Sequence, residues 1–458
     1  MPSPLISRRS GVSAPKPQRW APWFMAAGLN LAALCLSVVH AQSLDELYTA
    51  ARGYDATYLA ARSLADSAPF RAAQADALLR PSVNLDASAN TGRVETGFGN
   101  GSFNTRSGQV SARQPLFNHN SSVTIAQAER ELEAAALRLE LAEQDLIVRL
   151  AQAYFDVLAA QDALTTTRTS KVAINEQLAS AKRNFEVGTA TITDTREAQA
   201  RFDLATAQEL AADNDLRNKR IALDQLVGRS NVEPKGLTTP VSLPPITPAD
   251  AETWARHADA QHPSVRLAQL SLDVARLETS KARAGHLPTL DAVASVASQY
   301  NSTGRSGSQL SSAGTTNTGS IGVQFNLPLF AGMSVQNRIQ ETLALEDKSQ
   351  NDLEAARRAV SLSTRQAYFG VQSLQAQVLA LEAAESSSAL ALEATQLGYR
   401  VGVRVNIDVL NAQTQLYTTR RDLSKARYDT LLGSLRLRQA AGQLKPEDVT
   451  AVSRLLTR

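Results

Sequence analysis

Two short stretches hold the residues whose types and spacing could do chemistry: Phe185-Glu186-Val187-Gly188-Thr189-Ala190-Thr191-Ile192-Thr193-Asp194 and Tyr399-Arg400-Val401-Gly402-Val403-Arg404-Val405-Asn406-Ile407-Asp408. In each, an aromatic residue closes a helical pattern, Gly supplies a backbone able to turn with positive φ, and Asp sits where the next helix should begin. A carboxylate there can cap the helix, with Asp194 and Glu197 resembling a capping box, or it can present negative charge to a passing ion. Residue types leave both readings open. Covalent chemistry is poorly supported. His40, His119, His257, His262 and His286 lack metal-ligand spacing, Cys35 is the single cysteine, and no Gly-rich loop follows a buried strand to open a helix. The sequence thus implies no catalytic residue, no metal and no cofactor.

The elements that position these stretches form an internal repeat. Tyr154 and Tyr368, in matching Gln-Ala-Tyr-Phe strings, lie 214 residues apart, as do Gly188 and Gly402, Asp194 and Asp408, and Gly228 and Gly442. Upstream the offset drifts to 213 between Pro115-Leu116-Phe117 and Pro328-Leu329-Phe330, and to 207 between Pro81 and Pro288. Length differences collect between these prolines, as expected of loops. Each stretch is therefore the tip of a helical hairpin. The first long helix, about 117 to 185, contains no Pro or Gly and would run about 100 Å. Leu150, Val157, Leu164, Leu178 and Phe185 fall on one seven-residue ladder, and Leu132, Leu139 and Leu146 on another, so the helix should touch neighbours on two sides. The returning helices should span about 194 to 227 and 408 to 441.

Before each long helix comes a helix and a pair of alternating segments. Leu44, Leu47, Tyr48 and Ala51 share a face of a helix expected over 43 to 79; its counterpart is expected over 264 to 284. Val83, Leu85, Ala87 and Ala89 alternate with polar residues, as do Val110 and Ala112, then Leu290, Ala292, Ala294 and Val296, and then Ile321, Val323 and Phe325. These are strands with one apolar face, and membrane-crossing strands need only about 9 to 11 residues. A soluble hairpin packed on the helices is the alternative. Stretches 91–107 and 301–320, rich in Gly, Asn, Ser and Thr, read as loops.

The N-terminal segment carries Arg8, Arg9, Lys16 and Arg19 without an acid, then an apolar run from Trp23 to Val39 and Val39-His40-Ala41, a small-x-Ala pattern. Residues 1–41 read as a secretory signal peptide, the alternative being a membrane anchor. Losing those four cations takes the formal charge from +3 to −1, which gives no support for nucleic-acid binding. The expected organisation is then a first repeat over 42–230, a Pro-rich extended linker over 231–250, a second repeat over 251–442 and a tail over 443–458. Four amphipathic strands cannot close a membrane barrel, whose smallest forms have about 8, so several chains must share one.

At Tyr399-x-Val-Gly-x-Arg-x-x-x-Asp-Val-Leu-Asn, followed by Leu416-Tyr417 and Ala426-Arg427-Tyr428, the chain resembles the TolC family of outer-membrane exit channels. The resemblance implies an α+β membrane protein: a homotrimer in outer-membrane lipid, four strands per chain in one barrel, continued by a long helical tunnel. It implies a duct that passes substrates from an inner-membrane transporter of the ABC or RND type, joined through a periplasmic adaptor protein. Adaptor-like proteins and coiled coils without a pore are the alternative. It also implies that Arg404 and Tyr399 tie to Thr193 and Asp194 to hold a gate shut, while Asp408 forms a three-fold ring. Asn411 stands where a second Asp is usual. The tip residues Val187, Gly188, Thr189, Val401, Gly402 and Val403 would meet the adaptor.

Overall fold

A computed structural model describes residues 41–96, 99–238, 245–302, 304–306, 309–311 and 313–456. The segment read as a signal peptide therefore lies outside the described residues up to His40, as do Pro240 and Pro244 of the linker.

Helix α1 (Leu44–Tyr54) starts at Ser43, which forms a capping box with Glu46, and buries Leu44, Leu47, Tyr48 and Ala51 as its periodicity requires. The single helix expected up to residue 79 is broken at Asp55. That side chain caps α2 (Ala56–Asp76) by accepting from the Tyr58 N–H at 2.7 Å. Two strands follow, β1 (Ser82–Thr96) and β2 (Gly99–Phe117), then α3 (His119–Glu186) and α4 (Ile192–Val227). The second half repeats this with α5 (Ala251–Gln261), α6 (Pro263–Arg283), β3 (Thr289–Asn301), the short β4 (Gly304–Ser306) and β5 (Gln309–Ser311), then β6 (Gly314–Asn326), α7 (Ser334–Arg400) and α8 (Asn406–Ala440). The kink recurs at His262, the C-cap of α5 and N-cap of α6, whose ring Nδ1 accepts from the Ser264 N–H at 3.0 Å. Helix α5 was not expected from the sequence. Its counterpart α1 has the same length, 11 residues.

The four long strands pair in the order β1-β2-β3-β6, all antiparallel, so the two repeats join through β2 and β3. The register sets Leu85 opposite Val110, Val110 opposite Val296 and Ala294 opposite Ile321 on one face. That face is exposed, Ile321 by 90%. The other face is polar: Ser88 and Ser107 hydroxyls meet at 2.8 Å, Ser295 and Ser320 at 2.9 Å, and Arg113 Nη2 donates to Asp291 Oδ2 at 2.6 Å. Edge strands β1 and β6 each have one strand neighbour among the described residues. An apolar outer face with open edges needs strands from other copies before it can sit in lipid.

The strands are longer than expected. Residues 91–96 and 99–107 continue the ladder, with Thr91 opposite Asn104 and Thr96 opposite Gly99, and 314–320 belong to β6. Their Gly, Asn and Ser content disfavours strand locally, but backbone pairing along the hairpin overrides that preference.

The long helix α3 buries Leu146, Leu150, Val157, Leu164 and Leu178, while Leu132 and Phe185 at the ends of the ladders stay exposed on a single chain. Tyr154, Phe155 and Tyr428 centre the largest core cluster, the last two stacked with ring centroids 5.9 Å apart. Two stretches expected outside the core are part of it. Val232 is buried, the Tyr154 hydroxyl donates to the Lys235 carbonyl at 2.9 Å, and residues 446–453 form α9 (Pro446–Ser453), which buries Val449 and Val452. The linker and tail also bridge each other at Leu237 and Leu456. Short apolar segments with no period of their own gain a place only by packing.

Candidate functional site at the hairpin tips

Each hairpin turns through one and the same backbone device. At the first tip Gly188 has φ 77°, and the Thr189 N–H donates to the Asn184 carbonyl at 2.8 Å. At the second Gly402 has φ 80°, and the Val403 N–H donates to the Gly398 carbonyl at 2.9 Å. Positive φ is where an L side chain is strained, so Gly is required at both. Around these glycines Val187, Val401 and Val403 expose 72%, 66% and 79% of their surface, with Thr189 exposed beside them. The two tips thus present a small apolar rim.

The helices restart differently from expectation. Asp194 is the third residue of α4 and not its cap; the cap is Thr191, not a pairing of Asp194 with Glu197. Asp194 Oδ2 accepts from the Thr191 N–H at 2.9 Å and its hydroxyl at 2.7 Å, while the Asp194 N–H donates back to Thr191 Oγ1 at 3.3 Å. Asp408 occupies the equivalent place in α8, but Val405 has no hydroxyl to offer. Its Oδ2 receives only a 3.4 Å contact from the Val405 N–H and faces Arg404 Nη1 at 3.7 Å. Asp408 is thus the freer carboxylate of the two.

Within one chain, Arg404 and Tyr399 do not tie to Thr193 and Asp194. Arg404 pairs with Asp408 on its own helix, its side chain packed where Gly398 leaves room. The Tyr399 hydroxyl accepts from Asn184 Nδ2 at 3.1 Å, and Thr193 is exposed. Asn411 is held, Oδ1 accepting from Arg201 Nη2 at 2.9 Å. A further contact joins the hairpins: Asn406, which is buried, accepts from Gln177 Nε2 at 2.5 Å and donates to the Asp194 carbonyl at 3.3 Å. Sequence reasoning missed Asn184, Gln177, Arg201 and Asn406. The signal was available for Asn406 alone, which with Val409, Leu410, Gln413 and Leu416 lies on the buried stripe of α8. Beneath the tips Ile174, Leu178, Ala181, Ala198, Ala205 and Leu410 pack together. Among the described residues no group of three or more His, Cys, Asp or Glu side chains could hold a metal.

A sheet with a lipid-compatible face and open edges, continued by helices of about 100 Å that end in polar-tied tips, defines a class of shared-barrel channel proteins. The comparisons with known proteins give the family. The model of the outer membrane efflux protein family matches residues 47–229 and 254–443. Outer membrane protein TolC of Vibrio cholerae is 33% identical over 432 residues, covering 94% of this chain and 97% of that protein. The alkaline protease secretion protein AprF of Pseudomonas aeruginosa is 34% identical over 350 residues, 75% of this chain and 71% of that protein. The solved open state of the Neisseria gonorrhoeae MtrE outer membrane channel superposes with a TM-score of 0.70 at 20% identity, covering 88% of this chain and 90% of that one. The chain belongs to the outer membrane efflux protein family. Its fold is that of the trimeric outer-membrane channels, four strands per chain in one barrel continued by a helical tunnel. It is an exit duct for efflux or secretion and not an enzyme.

Proposed function

We propose that the tips are the gate of this duct, and that the exposed Val-Gly rim is where an adaptor protein docks. The observation that carries the reading is that three polar contacts near the tips, Asn184 to Tyr399, Gln177 to Asn406 and Arg201 to Asn411, run between the two hairpins, beside the Thr191–Asp194 and Arg404–Asp408 contacts within each. A resting duct must be closed, and such contacts at a wet entrance contribute only on the order of 1 kcal/mol each. Several together hold a mobile tip shut, yet a partner can displace them. Arg404, with a side chain 61% exposed, remains available to a neighbouring subunit of the trimer, and three copies of Asp408 would ring the entrance.

The export machine that fits this duct has an inner-membrane ABC or RND-type transporter and a periplasmic adaptor. Residues 1–41 would be removed on secretion, so mature protein recovered from outer membranes should begin at Gln42. In planar bilayers the Arg404→Ser, Tyr399→Phe double variant should raise single-channel conductance several-fold, whereas Arg183→Ser, further up α3, should leave it unchanged. A double variant conducting like wild type would place the gate elsewhere. Replacing Gly402 by Trp should abolish export while leaving the trimer assembled; normal export would remove the rim from adaptor docking.

A further inference from the structure

We infer that the closed entrance of this chain is held by an uncharged latch centred on Asn406, a positioning residue that ties the start of α8 to both helices of the other hairpin. The inference rests on the gate reading above and goes beyond it by naming the chemistry of the hold. Val403, Arg404 and Val405, just before it, are exposed, whereas Asn406 is 2% exposed. Its side chain uses both ends, taking the Gln177 amide hydrogen on α3 and giving its own to the Asp194 carbonyl on α4. One short side chain thereby joins three helices. The equivalent residue of the first tip, 214 positions earlier, is Ile192, which is exposed.

The stripe on which Asn406 sits explains why an amide serves here. Asn406 and Gln413 stand seven residues apart in the seam of α8, with Val409, Leu410 and Leu416 between and after them, all buried. Polar residues at such seam positions fix register at the expense of stability. Gln413 Oε1 has no hydrogen-bond partner among the described residues, so this seam is weaker than an apolar one. When α8 swings away, an amide pair exchanges its partner for water at little net cost, whereas an apolar seam would not. An amide latch also carries no charge for salt or acid to act on, unlike an ion pair.

The test is Asn406→Asp, which keeps the shape and removes the donor. At neutral pH the new carboxylate would face the Asp194 carbonyl and repel it. In acid the protonated carboxyl can donate again, and burial raises the pH at which this happens. Charged groups near the latch include Asp194 and Arg201 on α4, Arg404 and Asp408 at the start of α8 and Arg400 at the end of α7, while its partner on α3 is the neutral Gln177. The acids reinforce the effect and the arginines attenuate it. With assembly checked by the heat-stable trimer, the variant should conduct several-fold more than wild type at neutral pH and return to the wild-type level in acid, while wild type changes little between the two. Gln177→Leu should also raise conductance, without reversal by acid. Wild-type conductance of Asn406→Asp at neutral pH, alongside an open Arg404→Ser, Tyr399→Phe channel, overturns the latch and leaves the gate standing. If neither variant opens, both readings fall. An Asn406→Asp channel that leaks equally at both pH values means a packing defect and overturns the latch.

Discussion

The two hairpin tips share a backbone and differ in almost every side chain that matters. Asn184 and Gly398 are equivalent, and both carbonyls accept the turn, but only Asn184 has a side chain to reach Tyr399. Gly398 instead makes room for Arg404, whose own equivalent is Ala190. Thr191 caps its helix and occupies Asp194; Val405 leaves Asp408 free for Arg404. The carboxylate of the first tip is thus satisfied by its own helix cap, while that of the second is left to a 3.7 Å pairing with the exposed Arg404. A duplicated scaffold has kept the turn, which the backbone demands, and separated the roles, which it does not.

The comparison between copies can be broken most severely at the far ends of the hairpins. Gly228 and Gly442 both have positive φ, but a Cβ at Gly442 would lie 2.7 Å from the His262 Cα, while one at Gly228 would meet the Tyr54 ring at 2.4 Å. A backbone atom cannot move aside and an exposed ring can. Gly442→Ala should therefore add a clash to a backbone strain of about 1–3 kcal/mol and markedly reduce heat-stable trimer, with Gly228→Ala milder. Equal loss of trimer in the two variants would contradict this.

The helix kinks offer a second contrast, in acid. Burial lowers the affinity of His262 for a proton, so the unfolded chain binds more protons below about pH 6.5 and stability falls as pH drops through that value. At the equivalent kink, the Arg149 guanidinium donates two hydrogen bonds to Asp55 at 3.0 and 3.1 Å and holds its carboxyl below the usual range. That contribution is present above about pH 4 and lost only in stronger acid. Thermal melts from neutral pH to about 5 should therefore weaken with a slope that His262→Asn flattens and Asp55→Asn leaves in place.

At the tips themselves the effects are smaller. Gly398→Ala puts a Cβ 2.8 Å from the Arg404 Cγ and should swing that guanidinium away, raising conductance more than Asn184→Ala, which loses one hydrogen bond worth about 1 kcal/mol. Smallest of all, Asp408→Asn should lower but not abolish cation selectivity in reversal-potential measurements. Asp194→Asn, whose carboxylate is engaged by Thr191, should leave selectivity alone.

Much was readable from local signals. The 214-residue repeat, the glycines of both turns, the ladder from Leu150 to Leu178 and the buried face of α1 follow from period and backbone permissiveness, which are properties of neighbouring residues. What the sequence could not supply was every decision made between distant residues. Residues 91–96 are strand because 99–104 lie beside them, and Val232 and Val449 are core because Tyr154 and its neighbours receive them. Asp194 is engaged by Thr191 and Arg404 by Asp408, and Asn406 finds partners 229 and 212 residues away. Periodicity states which face of a helix is buried; only the packed hairpins determine which polar group meets which, because a side chain takes the nearest partner that geometry offers.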